Sequence, residues 1–381
     1  SLIRHNEIVS HNNETINFAR LAGDEFVLAI LDMGDYKVAE TIAKRFIDSM
    51  HTEFSLRDAE VKLNISIGIA IHDSKNKSAA DILKHADAAM YHAKRSGKNR
   101  YCFFNETILE ELSERKQIEL SLREALDDNN FNLVFMPIYC CDSALVVGAE
   151  VLLRSGSEKL SNIGPDKYIP IAESHGLIRE IDLWVIENTF IKIKSILSKP
   201  AMEHMWFAIN ISALELRNQE FPEKLQLLMQ THGIPPERIE LEITETSLVS
   251  QDETSVITLK NLKELGISLS LDDFGTGYTA FNQLMHYPVD KLKLDRSFVS
   301  KIGSKDENHA SMVDIVITIA DSYNMKVIAE GVETHEQFDY LQKLNCDYVQ
   351  GYLLSKPIDW NSFLNTIKVN ADEKVTQLRV S

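Results

Sequence analysis

Residues 267–273 read ISLSLDD, residues 291–295 read KLKLD, and residues 326–330 read KVIAE. Each is an apolar run, too short for an ordinary helix, that closes on an acidic side chain. Because parallel strands buried on both faces read as continuous apolar runs, these segments predict neighbouring parallel strands. Their acidic ends would then meet at one edge of the sheet.

The same pattern extends outward in both directions from these three segments. Apolar runs occur at 132–139, 145–153, 206–211, 239–243, 267–271, 291–294, 326–329 and 347–350. Helical patterns separate most of them, at 167–175, 180–197, 221–231, 252–265, 308–324 and 334–344. Eight alternating strands favour an α/β fold of the (β/α)8 TIM-like barrel type over an open doubly wound sheet. The first two runs are joined without a helix, so we expect one strand there to be antiparallel.

The first hundred residues predict a smaller α+β unit. An apolar run lies at 26–30, helical patterns lie near 36–50 and 79–95, and residues 62–71 alternate like a strand. The opening residues read as the middle of a helix, so we expect one further strand upstream. Residues 105–128 are charged, lack Gly and Pro, and predict a connecting helix. The predicted divisions are therefore a partial domain 1–104, a helix 105–128, a barrel 129–367 and a tail 368–381.

Composition narrows the class of protein. The chain has 381 residues, is 44% hydrophobic and carries a formal net charge of −17. That charge argues against a protein that binds nucleic acid polymers or anionic lipid by bulk electrostatics. Four cysteines show no metal-binding spacing, which favours a reducing cytoplasm. No apolar run is long enough to span a membrane, so we expect no membrane segment in this sequence.

Polar residues close the predicted barrel strands, where a barrel of this kind places its chemistry. They are Glu150, Asn210, Glu242, Glu245, Asp272, Asp273, Lys293, Asp295, Glu330, Glu333 and Gln350. A single acid at a strand end is more often a helix cap or a surface group. Acids at successive strand ends are not explained in that way, and they would repel one another unless cations were bound. Oxygen ligands without clustered Cys or His suit Mg2+ or Mn2+, and adjacent Asp272 and Asp273 are placed to share two ions.

Ordered motifs at these positions give the chain a strong resemblance to the EAL family of cyclic di-GMP phosphodiesterases, from Leu122 to Ile367. The matching segments are AEVLLR, NIS, ELEITET, LDDFGTGYTAFNQL, PVDKLKLDRSFV, VIAEGVET and QGYLLSKP. The resemblance implies hydrolysis of cyclic di-GMP to linear pGpG with two Mg2+ or Mn2+ ions.

The resemblance also implies a role for each matched residue. It implies metal ligation by Glu150, Asn210, Glu242, Asp272, Asp273 and Glu330. It implies that Lys293 positions the attacking water and that Glu245 holds the loop after Asp273. Glu150, Glu330, Lys293 and Glu245 form the implied catalytic set. The implied substrate-binding set is Leu152, Arg154, Asp295, Glu333 and Gln350.

Three departures from the family pattern cluster near the first two strands. Met136 replaces a Gln, Val151 replaces an Ala, and residues 155–162 replace a Trp-x-His-Pro stretch. Since the metal set is complete, these changes bear on substrate affinity more than on chemistry.

The N-terminal segment resembles the GGDEF family of diguanylate cyclases, in RLAGDEFVLAI, NISIGIAI and HADAAMYHAKRSGKNR. The degenerate signature is Ala22, Gly23, Asp24, Glu25 and Phe26, in which Ala22 replaces the first Gly. The family's first strand and its metal-binding Asp are expected upstream, so we expect no synthesis of cyclic di-GMP from GTP. GTP remains a candidate ligand of this segment.

Two other function classes stay open on the sequence. One is a catalytically silent cyclic di-GMP receptor that signals through the connecting helix, and the other is a divalent-metal barrel acting on sugars or enolates. The complete set of implied ligands favours the phosphodiesterase. A homodimer formed through the barrel is a further expectation.

Overall fold

The computed structural model describes residues 11–13, 16–31, 35–52, 54–56, 59–72, 78–248, 253–275, 287–303 and 307–368. The predicted helical opening of the chain, residues 276–284 of the motif that starts at Leu271, and residues 369–381 of the predicted tail lie outside these ranges. The chain divides into two units, residues 1–116 and residues 117–381.

The N-terminal unit is built from short strands and two amphipathic helices. Its elements are β1 (His11–Asn13), β2 (Ile16–Ala22), β3 (Glu25–Ile30), α1 (Tyr36–Met50), β4 (Phe54–Leu56), β5 (Ala59–Val61), β6 (Ile67–Ile69), α2 (Ala79–Arg95) and β7 (Tyr101–Phe103). Strands β1, β2 and β3 form an antiparallel sheet, β4 pairs with β5, and β6 pairs in parallel with β7. Side chains of Asp35 and Ser78 accept backbone N–H groups at the starts of α1 and α2, as helix caps do.

One prediction for this unit is only partly right. The alternating segment 62–71 is a strand only at Ile67–Ile69 in the structure. Its three residues pair with Tyr101–Phe103, and that short partner sets the length of the ladder. Alternation reports a half-buried face, whereas a strand also needs a partner for its hydrogen bonds.

The connecting helix is α3 (Glu106–Asp127), within two residues of the prediction. Its second half carries Ile118, Leu122 and Ala125, which are buried in the core of the second unit. Its first half carries Ile108, which is buried with Ala88 and Ala89 in the core of the first unit. Separate apolar stretches of one helix thus belong to separate cores.

The second unit contains a closed eight-stranded barrel, as predicted. Its strands are β8 (Phe131–Cys140), β9 (Val146–Ser155), β10 (Trp206–Asn210), β11 (Ile239–Thr244), β12 (Ser268–Phe274), β13 (Lys291–Leu294), β14 (Lys326–Ala329) and β15 (Tyr348–Val349). Strand β8 is antiparallel to both β9 and β15, and the other barrel pairs are parallel. The expected antiparallel strand is therefore confirmed, because a short β8–β9 hairpin cannot return the chain in parallel.

Helices alternate with the barrel strands. They are α4 (Pro165–Ser174), α5 (Ile178–Lys194), α6 (Ala213–Leu216), α7 (Phe221–His232), α8 (Glu245–Leu248), α9 (Glu253–Glu264), α10 (Arg296–Val299), α11 (Glu307–Ser322), α12 (His335–Lys343) and a final helical stretch, 360–368. Single turns of 3-10 helix lie at Glu158–Leu160, Pro200–Met202 and Pro236–Arg238. Local signals fix several ends: α7 stops at Gly233 with φ +67°, and α12 starts with a capping box of Thr334 and Gln337.

Apolar residues of the strands and helices form one continuous core around the barrel. Among the described residues, none of the helices combines the length and the apolarity that crossing a bilayer requires.

Candidate active site

Lys293 lies at the centre of the barrel's polar interior and is 1% exposed. Its Nζ is 2.8 Å from Glu242 Oε2, 2.8 Å from Glu330 Oε1, 3.2 Å from Asp272 Oδ1 and 3.6 Å from Glu150 Oε2. One ammonium group thus holds four carboxylates together. All five residues come from the predicted site.

Strand geometry explains why these residues meet. Side chains two apart on a strand point to the same face, so charged residues within apolar runs collect inside the barrel. Register places Glu242 beside Asn210 and Asp272 beside Thr244. Because β9 to β15 run in parallel, their carboxyl ends form one mouth.

Two amide side chains connect the carboxylates. Gln350 Nε2 donates to Glu150 Oε2 at 2.8 Å and to Glu330 Oε1 at 3.0 Å. Asn210 Nδ2 donates to Glu150 Oε1 at 3.1 Å. Each oxygen of the Glu150 carboxylate therefore accepts a hydrogen bond from one of the two amides, which fixes its orientation.

Burial dominates the electrostatics of the cluster. It raises the pKa of Glu242 well above the ordinary value, aided by the charge of Glu150, and it raises the pKa of Glu330 to about 8. Burial also opposes ionisation of Glu150, but Lys293 and the bond from Gln350 outweigh it and lower that pKa. The pKa of Lys293 is raised because the four carboxylates outweigh its burial. The negative charge of the four carboxylates, when they are ionised, exceeds the single positive charge of Lys293.

That excess provides a test of whether a divalent cation fits. Among the described residues, no three His, Cys, Asp or Glu side chains are placed to hold a metal ion as they stand, since the carboxylates close on Lys293. Glu242 Oε1 is nevertheless buried without a hydrogen-bond partner among those residues. The donors are carboxylate and amide oxygens, which suit hard divalent ions. The residues present therefore fit a hard divalent cation by charge and donor type.

The C-terminal end of β12 is under backbone strain. Asp273 has φ +56°, a left-handed conformation that is unfavourable for a residue with a Cβ, and Gly275 has φ +92°. Glu245, which is 2% exposed, accepts the Gly275 N–H at 3.0 Å through Oε2. Burial and the charge of Asp272 raise the pKa of Asp273. Glu245 thus bonds to the backbone directly after β12.

The remaining predicted residues lie around the mouth. Leu152 and Arg154 follow Glu150 on the same face of β9 and are partly buried, and Arg154 Nη1 donates to Leu153 O at 2.8 Å. Asp295 follows β13 and caps α10 by accepting the Ser297 N–H at 2.9 Å. The side chains of Arg154 and Asp295 therefore both bond to the local backbone.

Sequence reasoning missed the partner of Glu333. Glu333 Oε1 is 2.6 Å from Arg296 Nη2, and both side chains are exposed. This ion pair joins the ends of two different strands, so no spacing within the sequence indicates it.

Three comparisons with known proteins bear on this site. The family described as EAL domain matches residues 119–357. The chain belongs to the EAL family. The family described as diguanylate cyclase, GGDEF domain, matches residues 5–100 of the same chain.

Curated relatives match along most of the chain. The chain is 32% identical over 350 residues to the bifunctional diguanylate cyclase/cyclic di-GMP phosphodiesterase MucR of Pseudomonas aeruginosa, covering 92% of this chain and 50% of MucR. It is 32% identical over 340 residues to the cyclic di-GMP phosphodiesterase NbdA of the same species, covering 89% of this chain and 43% of NbdA. The chain therefore spans half or less of the length of these relatives.

Solved structures agree with the fold. The MucR phosphodiesterase in complex with c-di-GMP matches with a TM-score of 0.61 and 30% identity, covering 65% of this chain and 99% of that one. The EAL enzyme Bd1971, bound to cAMP and cyclic di-GMP, matches with a TM-score of 0.65 and 28% identity, covering 77% of each chain.

The EAL barrel of this chain carries a second charged layer below the first. Lys291 pairs with Glu240, which is 0% exposed, and the Lys291 Nζ lies 3.2 Å from the centroid of the Trp206 ring. Sequence reasoning missed this pair. The signal was present, because Glu240 and Lys291 each precede a site residue by two positions and so share its strand face.

The departures from the EAL pattern lie beside the site. Met136 is 7% exposed and pairs in register with Glu150, the central acid of β9. Val151 is 2% exposed and belongs to the hydrophobic core. Met136 is therefore the departure that faces the acids, whereas Val151 packs away from them.

The GGDEF-like signature forms a hairpin. Ala22 pairs with Glu25, so Gly23 and Asp24 make the turn, and Gly23 has φ +53°. Arg20 donates to Gly23 O through Nε at 2.8 Å and Nη2 at 2.6 Å. Phe26 is 54% exposed and stacks on Phe18 at 5.4 Å.

Proposed function

We propose that the EAL barrel hydrolyses cyclic di-GMP to linear pGpG with the help of two Mg2+ or Mn2+ ions. The observation that carries the proposal is the closure of Glu150, Glu242, Asp272 and Glu330 on Lys293 inside the barrel. Relatives named as cyclic di-GMP phosphodiesterases and the MucR complex with c-di-GMP support the substrate.

The proposed cation ligands are the acids and the amide of this cluster: Glu150, Asn210, Glu242, Asp272, Asp273 and Glu330. Bound divalent ions would neutralise these acids, activate a water as nucleophile and stabilise charge on the phosphodiester. Gln350 holds Glu150 and Glu330 in place through its amide. Glu245 holds the Asp272–Gly275 turn through the Gly275 N–H.

The cations of the chain complete the chemistry. Lys293 has a raised pKa, so it remains an ammonium that orients the attacking water and balances phosphate charge. Arg154 holds a substrate phosphate at the mouth, and Leu152, Asp295 and Glu333 line the substrate there. The water oxygen bonds to phosphorus, the P–O3′ bond breaks and O3′ takes a proton, which leaves pGpG.

The test is to incubate the protein with cyclic di-GMP and Mg2+ or Mn2+ and to separate the products by chromatography. We expect one pGpG for each substrate consumed, and no turnover with excess EDTA. Glu150→Gln should abolish turnover, whereas Asp347→Asn, at the opposite end of the barrel, should not. Tight binding of cyclic di-GMP by folded wild-type protein without cleavage would contradict the proposal and favour a silent receptor.

Three further expectations stay predictions. They are GTP binding at the GGDEF-like unit, a homodimer through the EAL barrel and a cytoplasmic location. The cysteines of the described residues are free thiols, which fits a reducing compartment. Equilibrium sedimentation and GTP titration would test the first two.

A further inference from the structure

Asp182 is a buried carboxylate far in sequence from the acid cluster. It lies on α5, is 5% exposed, and accepts the Ser212 backbone N–H through Oδ2 at 3.2 Å. Ser212 stands two residues after Asn210. The intervening residue, Ile211, donates its N–H to Glu242 O at 3.0 Å. The chain that leaves β10 is therefore fixed by two consecutive N–H groups, one bound to β11 and the other to α5.

Two other aspartates of the barrel bind a backbone N–H in the same manner, but at the opposite end. Asp290 accepts the Leu269 N–H at 2.8 Å and pairs with a lysine, Lys263, at 2.7 Å. Asp347 accepts the Val327 N–H at 3.0 Å and also pairs with a lysine at 2.7 Å. Asp182 differs, since within the described part of the chain no Lys, Arg or His forms an ion pair with it.

The surroundings of Asp182 make its charge unfavourable. Burial, with smaller contributions from nearby Glu215 and Glu173, raises its pKa to about 7 against the bonds from Ser212. An apolar or amide side chain would cost less in this position. A buried carboxylate that costs stability requires a role other than stability. Asp182 bonds to the turn that directly follows Asn210, the last residue of β10.

We propose that Asp182 is a positioning residue that sets the place of Asn210 by anchoring the turn at Ser212. Asn210 Nδ2 donates to Glu150 Oε1 at 3.1 Å, so a shift of this turn changes the position of Asn210 relative to the central acid of β9. This inference rests on the proposed function in one respect, namely that Asn210 is a cation ligand. It adds a residue from a helix, outside every strand-end motif of the site.

The experiment compares Asp182→Ala and Asp182→Asn with Asp290→Ala as the matched control. Asn keeps a side-chain oxygen that accepts the Ser212 N–H, and Ala does not. Asp290→Ala removes the same kind of bond from the other end of the barrel. Mn2+ binding is measured without substrate, from the spin-resonance signal of free Mn2+, and thermal unfolding is measured in parallel.

We expect Asp182→Ala to weaken Mn2+ binding by roughly 10–100-fold, the usual effect of losing a group that orients a ligand. Turnover should then require more Mn2+, while KM for cyclic di-GMP at saturating Mn2+ changes by less than about threefold. Asp182→Asn should bind Mn2+ within about threefold of wild type. Asp290→Ala should lower the unfolding temperature and leave Mn2+ binding unchanged.

Three results would overturn the assignment. They are wild-type Mn2+ binding by folded Asp182→Ala, equal loss in Asp182→Ala and Asp182→Asn, or the same loss in Asp290→Ala. If Asp182→Ala does not fold, Asp182→Leu, which fills the volume without accepting a bond, takes its place. Since Mn2+ binding needs no substrate, a wild-type protein that binds Mn2+ and leaves cyclic di-GMP intact would reject the proposed hydrolysis and leave this inference standing.

Discussion

At the scale of single residues, Lys293 has two roles, and both depend on its positive charge. It is proposed to orient water in the reaction, and in the structure it also neutralises buried acids. Removing one partner of a buried ion cluster leaves uncompensated charge, which costs about 3–5 kcal/mol. Lys293 is therefore needed for stability as well as for turnover.

We expect Lys293→Met to lower the unfolding temperature in EDTA, because four carboxylates lose their ammonium. Mg2+ or Mn2+ should restore much of that loss, since divalent ions neutralise the same acids. The catalytic constant with Mn2+ should still fall by roughly 100-fold or more. Differential scanning calorimetry and steady-state kinetics measure the two effects separately.

Lys291→Met is the matched control, because Lys291 lies two residues earlier on the same strand face and pairs with Glu240. Relative to wild type, Lys291→Met should be less stable by the same amount in EDTA and in Mn2+. A folded Lys293→Met protein that turns over cyclic di-GMP at the wild-type rate would reject the role assigned to Lys293.

Asp273 shows how the site departs from the most stable local sequence. Its φ of +56° is unfavourable for any residue with a Cβ and costs glycine nothing. Asp273→Gly should thus stabilise the folded backbone, offset in part by the greater freedom of the unfolded chain. We expect unfolding stability to change by less than about 1 kcal/mol while turnover falls strongly.

Asn345→Gly serves as the control for this substitution, because Asn345 is exposed, has φ +57° and lies outside the acid cluster. It should have the same small effect on stability and none on turnover. Equal turnover in Asp273→Gly and wild type would remove Asp273 from the proposed ligand set.

At the scale of elements, the contact between α5 and the turn before α6 should give the barrel a pH-dependent stability. The pKa of Asp182 is about 7 in the folded protein and near 4 in an unfolded chain. The folded state therefore binds this proton more tightly. Its contribution to stability is complete below about pH 4 and is lost as the pH rises through 7.

Asp182→Asn mimics the protonated acid at every pH. The variant should match wild type near pH 4 and become more stable than wild type as the pH rises to 7, by about 4 kcal/mol at most for three pKa units. Above pH 8 the difference should stay constant. Urea unfolding of the variant and of wild type, compared at each pH across this range, measures the difference. A difference that shrinks with rising pH would contradict the raised pKa.

At the scale of the whole molecule, cations interact with the protein in two ways, through its net charge of −17 and through the acid cluster. Monovalent salt screens the surface charge at long range, whereas the cluster needs ions bound inside the barrel. Mg2+ should therefore raise the unfolding temperature more than NaCl of equal ionic strength. Mn2+ should do the same.

Calcium separates binding from chemistry in the same experiment. It should stabilise the fold by binding the acids but should inhibit turnover, because its larger radius and flexible coordination hold the reacting oxygens poorly. Activity with Ca2+ equal to that with Mg2+ would argue against the two-ion mechanism. Equal stabilisation by NaCl and Mg2+ would argue against bound ions altogether.

The sequence by itself determined the elements of the barrel and the members of its acid cluster. A strand that is buried on both faces reads as a continuous apolar run, so such runs indicate barrel strands. A charged residue within such a run is expected to point into the interior of the barrel. Glu150, Glu242 and Lys293 could be found in this way. The closing antiparallel strand also followed, since a short connection between two runs forces a hairpin.

Only the tertiary structure decided which atoms face one another. The closure of four acids on Lys293, the Glu333–Arg296 pair and the bond from Ser212 to Asp182 all join side chains and backbone from separate elements. Such contacts depend on barrel stagger and helix placement, which strand periodicity does not encode. The sequence therefore determines which groups enter the barrel, and the packing of helices on strands determines which of them hold the others in place.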